Sequence, residues 1–254
     1  LTFVKVRLPP YLEEMNNMDI SPVYEAVNAI QNTAWRVNEK VYTVMKEAWT
    51  RQGGGPDFRL PSADKGDPLY DKTKVAVQES KIKLAERFLK EKAIYFPHQI
   101  DWRGRAYPVP SLMNPQADDS GKALLEFSRG KKLTKQGIRW LAIHGANCFG
   151  YDKATLGERV EWVNEHKKEI IDSAEHPLGG SKFWTKADKP YQFLAFCFDW
   201  AEYLRKETRH VSRIPVNMDG SCNGFQHLSA LLLDPVGGTA TNLIPPEDPS
   251  ERPA

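Results

Sequence analysis

The stretch that decides the reading is Ile214-Pro215-Val216-Asn217-Met218-Asp219-Gly220-Ser221-Cys222-Asn223-Gly224-Phe225-Gln226-His227-Leu228-Ser229-Ala230. Ile214 to Asp219 reads as a strand whose end delivers Asp219 to a Gly-Ser turn. Phe225 to Leu233 then reads as a helix that stops near Pro235-Val236-Gly237-Gly238. A carboxylate at a strand end, followed by small residues that let backbone carbonyls approach a ligand, suits a divalent cation. Asp-Gly is also an ordinary turn pair, and the dipeptide alone leaves both readings open.

Working outward, Thr134 to Cys148, Leu156 to Ala174 and Tyr191 to Arg205 read as helices. Upstream, Val23, Val27, Ile30, Ala34, Val37, Val41 and Val44 recur at 3–4 spacing, which predicts a helix from Ser21 to Trp49 with Ser21 as N-cap and Pro22 in its first turn. Arg51 to Pro68, with three consecutive glycines, reads as a loop or linker, and Lys72 to Lys92 as a helix turning Val75, Ile82, Ala85, Phe88 and Leu89 inward. Its lysines, Lys81 and Lys83 with Lys90 and Lys92, suit either contact with phosphates or a solvated face. Ile94-Tyr95-Phe96 is strand-like. The fold class is therefore α+β, helix-rich, with few strands.

The 254 residues carry 35 Lys and Arg against 33 Asp and Glu, a formal charge of +2, which selects no class of partner. Three cysteines without a CxxC pair exclude a disulfide framework or a zinc-ribbon site and fit reduced thiols. There is no signal-peptide pattern at Leu1-Thr2-Phe3-Val4-Lys5 and no apolar run of membrane-spanning length, so no membrane partner is expected. Pro245 to Pro253 reads as a loop leading onward, and the expectation is an excerpt of a longer chain or one half of a split one.

A second cluster, Asp101-Trp102-Arg103-Gly104-Arg105-Ala106-Tyr107-Pro108, joins two guanidinium groups to two aromatic rings. Arginine forks match phosphate oxygens, and the rings can stack on bases or wall a pocket. Alone, the cluster equally describes a surface loop with a core Trp. His144 and His227 lack metal-spaced partners and read as structural hydrogen-bonders, and Phe193 to Phe198 as core.

Val216 to Ala230 closely resembles motif A of the bacteriophage-type single-subunit DNA-directed RNA polymerases, and Asp234-Pro235-Val236-Gly237-Gly238 and Asn242-Leu243-Ile244-Pro245 continue the resemblance. The Asp101 cluster is similar to the signature that opens the palm of that family. Phe127 to Lys131, Trp140 to Cys148, Gln31 to Trp35 and Ala93 to Pro97 extend it. The resemblance implies a right-hand polymerase fragment: residues 1–30 end an N-terminal helical region, 31–93 form a shortened thumb, 94–235 the palm with motif A, and 236–254 begin the fingers. It implies template-directed nucleotidyl transfer on double-stranded DNA, with NTPs as substrates and RNA as product.

On the same resemblance, Asp219 is one of two aspartates that bind two Mg²⁺ ions, with the Gly220 carbonyl a further ligand. Trp102, Arg103, Arg105 and Tyr107 line the nucleic-acid groove, and Ser221 and Gly224 border the nucleotide. Related DNA polymerases place a glutamate where Gly224 stands, against the sugar 2′ position, so Gly224 implies an RNA maker. An inactive nucleic-acid-binding fragment or subunit, and a palm-type DNA polymerase, are the alternatives. The motif B lysine and tyrosine and the motif C aspartate are expected from the remainder of the polymerase, in the same or a partner chain, so the isolated chain is expected to be inactive. A phage origin implies the host cytoplasm; an organellar one implies the organelle matrix.

Overall fold

The computed structural model describes residues 10, 13–14, 17–51, 68–101, 103–217 and 224–245. Ten helices are described: α1 (Ser21–Gln31), α2 (Glu39–Arg51), α3 (Pro68–Phe88), α4 (Asp119–Ala123), α5 (Lys135–Phe149), α6 (Leu156–Glu165), α7 (Lys167–Glu175), α8 (Pro190–Lys206), α9 (Gly224–Leu232) and α10 (Pro235–Ala240). Six short strands make three two-stranded antiparallel ladders. β1 (Trp35–Val37) pairs with β4 (Leu125–Phe127), β2 (His98–Ile100) with β3 (Ala106–Pro108), and β5 (Lys131–Lys132) with β6 (Val211–Ser212). The fold is α+β and helix-rich, as its sequence implies.

The expected single helix from Ser21 to Trp49 is instead two helices and a strand. Trp35, Arg36 and Val37 face Phe127, Glu126 and Leu125, and Trp35 also bridges to Ile94. This pairing outcompetes helical continuation because it stacks Trp35 on Phe127 at 4.5 Å and sets Arg36 against the partly buried Glu126. Burial pushes the Glu126 carboxyl up, and the Arg36 guanidinium opposes it. Asn38 then restarts the helix, its Oδ1 accepting the Val41 amide at 3.2 Å. Nor is Ser21 the cap of α1: Ile20 holds that position, and the Asp19 carboxylate accepts the Ser21 amide at 3.0 Å.

The core lies where α8 runs between α5, α7 and α2. Phe193, Leu194, Phe196 and Cys197 on α8 are wholly buried, and Phe193 to Phe198 is core packing as read. Thr134 caps α5 by accepting the Gly137 amide, and left-handed Gly150 ends it. The expected helix Leu156 to Ala174 is broken at His166, whose Nδ1 meets the Trp162 carbonyl and whose ring stacks on Trp162. Thr155 and Glu158 form a reciprocal capping box at the start of α6.

Lys81 is not a candidate for phosphate contact. It is buried on α3, its ammonium held by Asp118 at 2.5 and 2.6 Å and by Ser120 at 2.9 Å. Burial pushes the Asp118 carboxyl up, but Lys81 and the Gly121 amide outweigh this and hold it below the usual carboxylate range. Lys83, in contrast, is exposed and pairs with Glu79 one turn away. Most of the linker from Arg51 to Pro68 lies outside the described residues.

Candidate functional site

Two sequence clusters converge on the functional reading, and each is held by a buried or half-buried carboxylate. The Arg-rich cluster is the turn of the β2–β3 hairpin, closed by the pair Ile100↔Ala106. Asp101 organises it. Its Oδ1 accepts the Arg103 amide at 2.9 Å and the Arg105 amide at 3.0 Å, and its backbone amide donates to the Arg105 carbonyl. Gly104 sits at φ +80°, a conformation that a side chain would strain. Burial pushes the Asp101 carboxyl up, but the Arg105 and Arg103 hydrogen bonds win and hold it below its ordinary value.

The two arginines are not equivalent. Arg103 folds back, its guanidinium donating twice to Asp101 Oδ2 at 2.9 and 2.7 Å and once to the Tyr107 hydroxyl at 3.2 Å. Arg105 is exposed, and among the described residues no carboxylate pairs with it. Arg103 and Tyr107 thus brace the turn, while the Arg105 guanidinium is available to a phosphate. Sequence reasoning assigned no role to Asp101. The signal was there in its spacing, since an Asp followed by amides two and four residues on is a local turn organiser.

Of the motif that opens with Val216, the described residues include the approach and the exit. Met218, Asp219, Gly220 and Ser221, with Cys222 and Asn223, lie outside the described residues, as does Trp102. On the approach, β6 pairs with β5, and the Arg213 carbonyl accepts the Phe127 amide at 2.9 Å. Strand structure ends at Ser212, so the expected strand from Ile214 is an irregular segment as far as Asn217. Pro215, which has no amide to donate, is one reason the ladder does not continue.

That segment is anchored by side chains. Ser212 donates to Asp199 Oδ2 at 2.7 Å, and the same buried carboxylate meets His210 Nε2 at 3.1 Å. Asn217 Nδ2 donates to Gln192 Oε1 at 2.9 Å. Beneath it is a cavity of about 30 Å³ lined in part by Lys122, His144, Gln192, Ile214 and Asn217. His144 is neutral there: burial, aided by Lys189, takes its imidazole down to about 4. Among the described residues its ring nitrogens meet only the Cys148 sulfur, at 3.6 and 3.8 Å, which agrees with a structural reading.

On the exit, Gly224 is the first residue of α9. Its backbone is not left-handed, and a Cβ added there would meet nothing within 4 Å among the described residues. Neither turn geometry nor crowding calls for glycine at this position. Pro235 to Gly238 does not simply end the chain's helical run but begins α10, with Asp234 as N-cap accepting the Val236 amide at 3.0 Å. Phe225, Leu228, Leu231, Leu232, Leu233 and Val236 are all more than half exposed. Among the described residues no three His, Cys, Asp or Glu side chains come together as a metal site.

Residues 131–252 match the family model of DNA-dependent RNA polymerase. The chain is also 36% identical, over 97% of its length, to the DNA-directed RNA polymerase of Enterobacteria phage T3. Almost the whole chain is therefore similar to DNA-directed RNA polymerases. Over 97% of its length it is 35% identical to T7 RNA polymerase of Escherichia phage T7, and over 91% it is 36% identical to a chloroplastic/mitochondrial DNA-directed RNA polymerase of Arabidopsis thaliana. The chain spans 31% of the length of the two phage relatives and 26% of the plant one. No described helix of the chain is long and apolar enough to cross a membrane.

Proposed function

We propose that this chain supplies the thumb and palm of a DNA-directed RNA polymerase, which extends RNA on a double-stranded DNA template by nucleotidyl transfer from NTPs, releasing pyrophosphate. The observation that carries the reading is homology running through 97% of the chain, across both the Arg-rich turn and the aspartate motif. In this assignment residues 31–93 are thumb, 94–235 palm, and 236–254 the start of the fingers. Relatives occur in phages and in organelles; the host cytoplasm is our first placement and an organelle matrix the second.

The residues divide the work by chemistry. Arg105 presents a permanently charged, open guanidinium to nucleic-acid phosphate, on a turn that Asp101, Arg103 and Tyr107 stiffen. Trp102 walls the same groove. Gly224 leaves room for a ribose 2′-hydroxyl where a larger side chain would intrude, and the open space around it supports RNA rather than DNA as product. Ser221 is assigned to the border of the nucleotide.

The described residues do not by themselves make a site for Mg²⁺. We assign one ligand to Asp219, with the Gly220 carbonyl as a further oxygen, and the rest to polypeptide corresponding to the other two thirds of the relatives. Bound there, Mg²⁺ would neutralise triphosphate charge and raise the acidity of the attacking hydroxyl. Asp219→Ala in the complete polymerase tests the assignment. RNA synthesis should vanish while template binding persists; continued synthesis would refute it, and loss of binding alone would favour a non-catalytic nucleic-acid module.

A further inference from the structure

The link between Asn217 and the core is more elaborate than anchoring needs. Asp119 begins α4, yet its carboxylate caps a different helix, accepting the Tyr191 amide at 2.8 Å and the Gln192 amide at 3.0 Å in the first turn of α8. It also accepts Gln192 Nε2 at 3.2 Å. An ionised carboxylate only accepts, so it dictates which end of the Gln192 amide faces it. Oε1 must then turn the other way, where Asn217 Nδ2 donates to it at 2.9 Å. The relay has one polarity throughout, and every step is charge-oriented from Asp119 outward.

The order of exposure matches a positioning device. Gln192 is 7% exposed and Asp119 largely buried, whereas Asn217 is exposed and contributes little to the core. Chain geometry keeps the Asp219 Cα within about 7 Å of that of Asn217. Strand pairing ends at Ser212, so the four residues from Arg213 to Val216 have little ladder to steady them where the motif begins. The relay grips the chain after this gap, at Asn217, the second residue of the motif and two before Asp219.

We infer that Gln192 and Asn217 are positioning residues: the Asp119–Gln192–Asn217 relay sets the trajectory on which the motif enters the reaction centre. This rests on the polymerase reading above, and it concerns this chain's own hydrogen bonds. In this role they hold the chain and are not assigned a contact with substrate. Removing either should leave binding of the nucleotide intact and misplace the reacting groups, since sub-ångström misplacement costs rate before affinity.

The test is a double-variant cycle with Asn217→Ala and Gln192→Met in the complete polymerase containing this chain, read by single-nucleotide incorporation and by backbone hydrogen exchange. Each variant should lower the maximal incorporation rate by about five- to tenfold, the worth of one oriented hydrogen bond. The KM for NTP should stay within about twofold, and the double variant should be no slower than the worse single one. Exchange of the amides of Arg213, Ile214, Val216 and Asn217 should quicken equally in all three. Losses that multiply, a change confined to KM, or unchanged exchange would each overturn the relay. Because Asn217 is exposed, its variant remains informative if Gln192→Met fails to fold. A wild-type polymerase without incorporation would sink the functional reading instead, and exchange would still decide the relay.

Discussion

Gly145 lies in the middle of α5, where glycine is ordinarily a weakness, and replacing it by alanine should destabilise the chain rather than stabilise it. Alanine would recover about 1 kcal/mol of helix propensity. Against this, its Cβ would stand 2.4 Å from both Cε1 and Cζ of Phe196 and 2.6 Å from Cε2. Carbon atoms in favourable contact sit about 3.5–4.0 Å apart, so three ring atoms overlap by about 1 Å each. Phe196 has nowhere to go: it is wholly buried on α8 between Phe193 and Trp200, whose rings lie 5.7 and 5.6 Å away. Relief requires α5 and α8 to separate, which puts the penalty at or above the upper end of the ~1–3 kcal/mol usual for overpacking. The net loss is then about 2 kcal/mol, or roughly 4–8 °C in Tm for a chain of this size. Urea unfolding of Gly145→Ala beside the wild type measures it. Adding Phe196→Leu should recover part of the Gly145→Ala loss, a coupling that two independent sites would not show. Gly145→Ala at or above wild-type stability would refute the account of α5–α8 packing.

His144, neutral when folded with its pKa taken down to about 4, binds a proton more readily when unfolded, near 6.5. Stability should therefore rise with pH between about 4 and 6.5, by up to ~3 kcal/mol from this group, and His144→Gln should flatten that slope in pH-dependent urea titrations. Lys81→Met should cost less than about 1.5 kcal/mol, because the Asp118 side chain it abandons is 63% exposed and rehydrates; a loss of several kcal/mol in the same assay would mean the pair is structurally essential. Arg105→Gln should weaken template binding at every sequence and reduce the slope of log affinity against log salt by about one, and an unchanged slope would remove Arg105 from the phosphate contacts.

Helices α5, α8 and α9 were legible because their signals are local, such as a Thr134 cap, a left-handed Gly150 and the apolar face of α8. The break at His166 and the start of α10 at Pro235 were not read. Nor was the break between α1 and α2. Val27, Ile30, Ala34, Val37 and Val41 keep helical spacing straight through it, and the strand that interrupts them exists only because residues ninety positions away pair with it. Lys81 was read among lysines facing phosphate or solvent because its partner, Asp118, belongs to another element. At the site, Arg105 and Gly224 were visible by chemistry and by resemblance. Asp101 and Gln192 were not singled out, since a turn organiser and a buried relay are defined by what they touch, and Gln192 sits in the sequence amid core aromatics.

The helix pair α9–α10 has a further consequence. Its main hydrogen bonds are internal, Gln226 reaching the Thr241 carbonyl and Ser229 that of Phe225, and α9 packs chiefly on α10. All seven tryptophans of the chain lie at or before Trp200. Intrinsic fluorescence therefore reports melting of the α8-centred body and is blind to this pair, which carries Gly224. A variant could lose this helix pair, to which we assign a place beside the nucleotide, and still give a wild-type fluorescence melt, so exchange or a reporter dye on α9 is needed to see it.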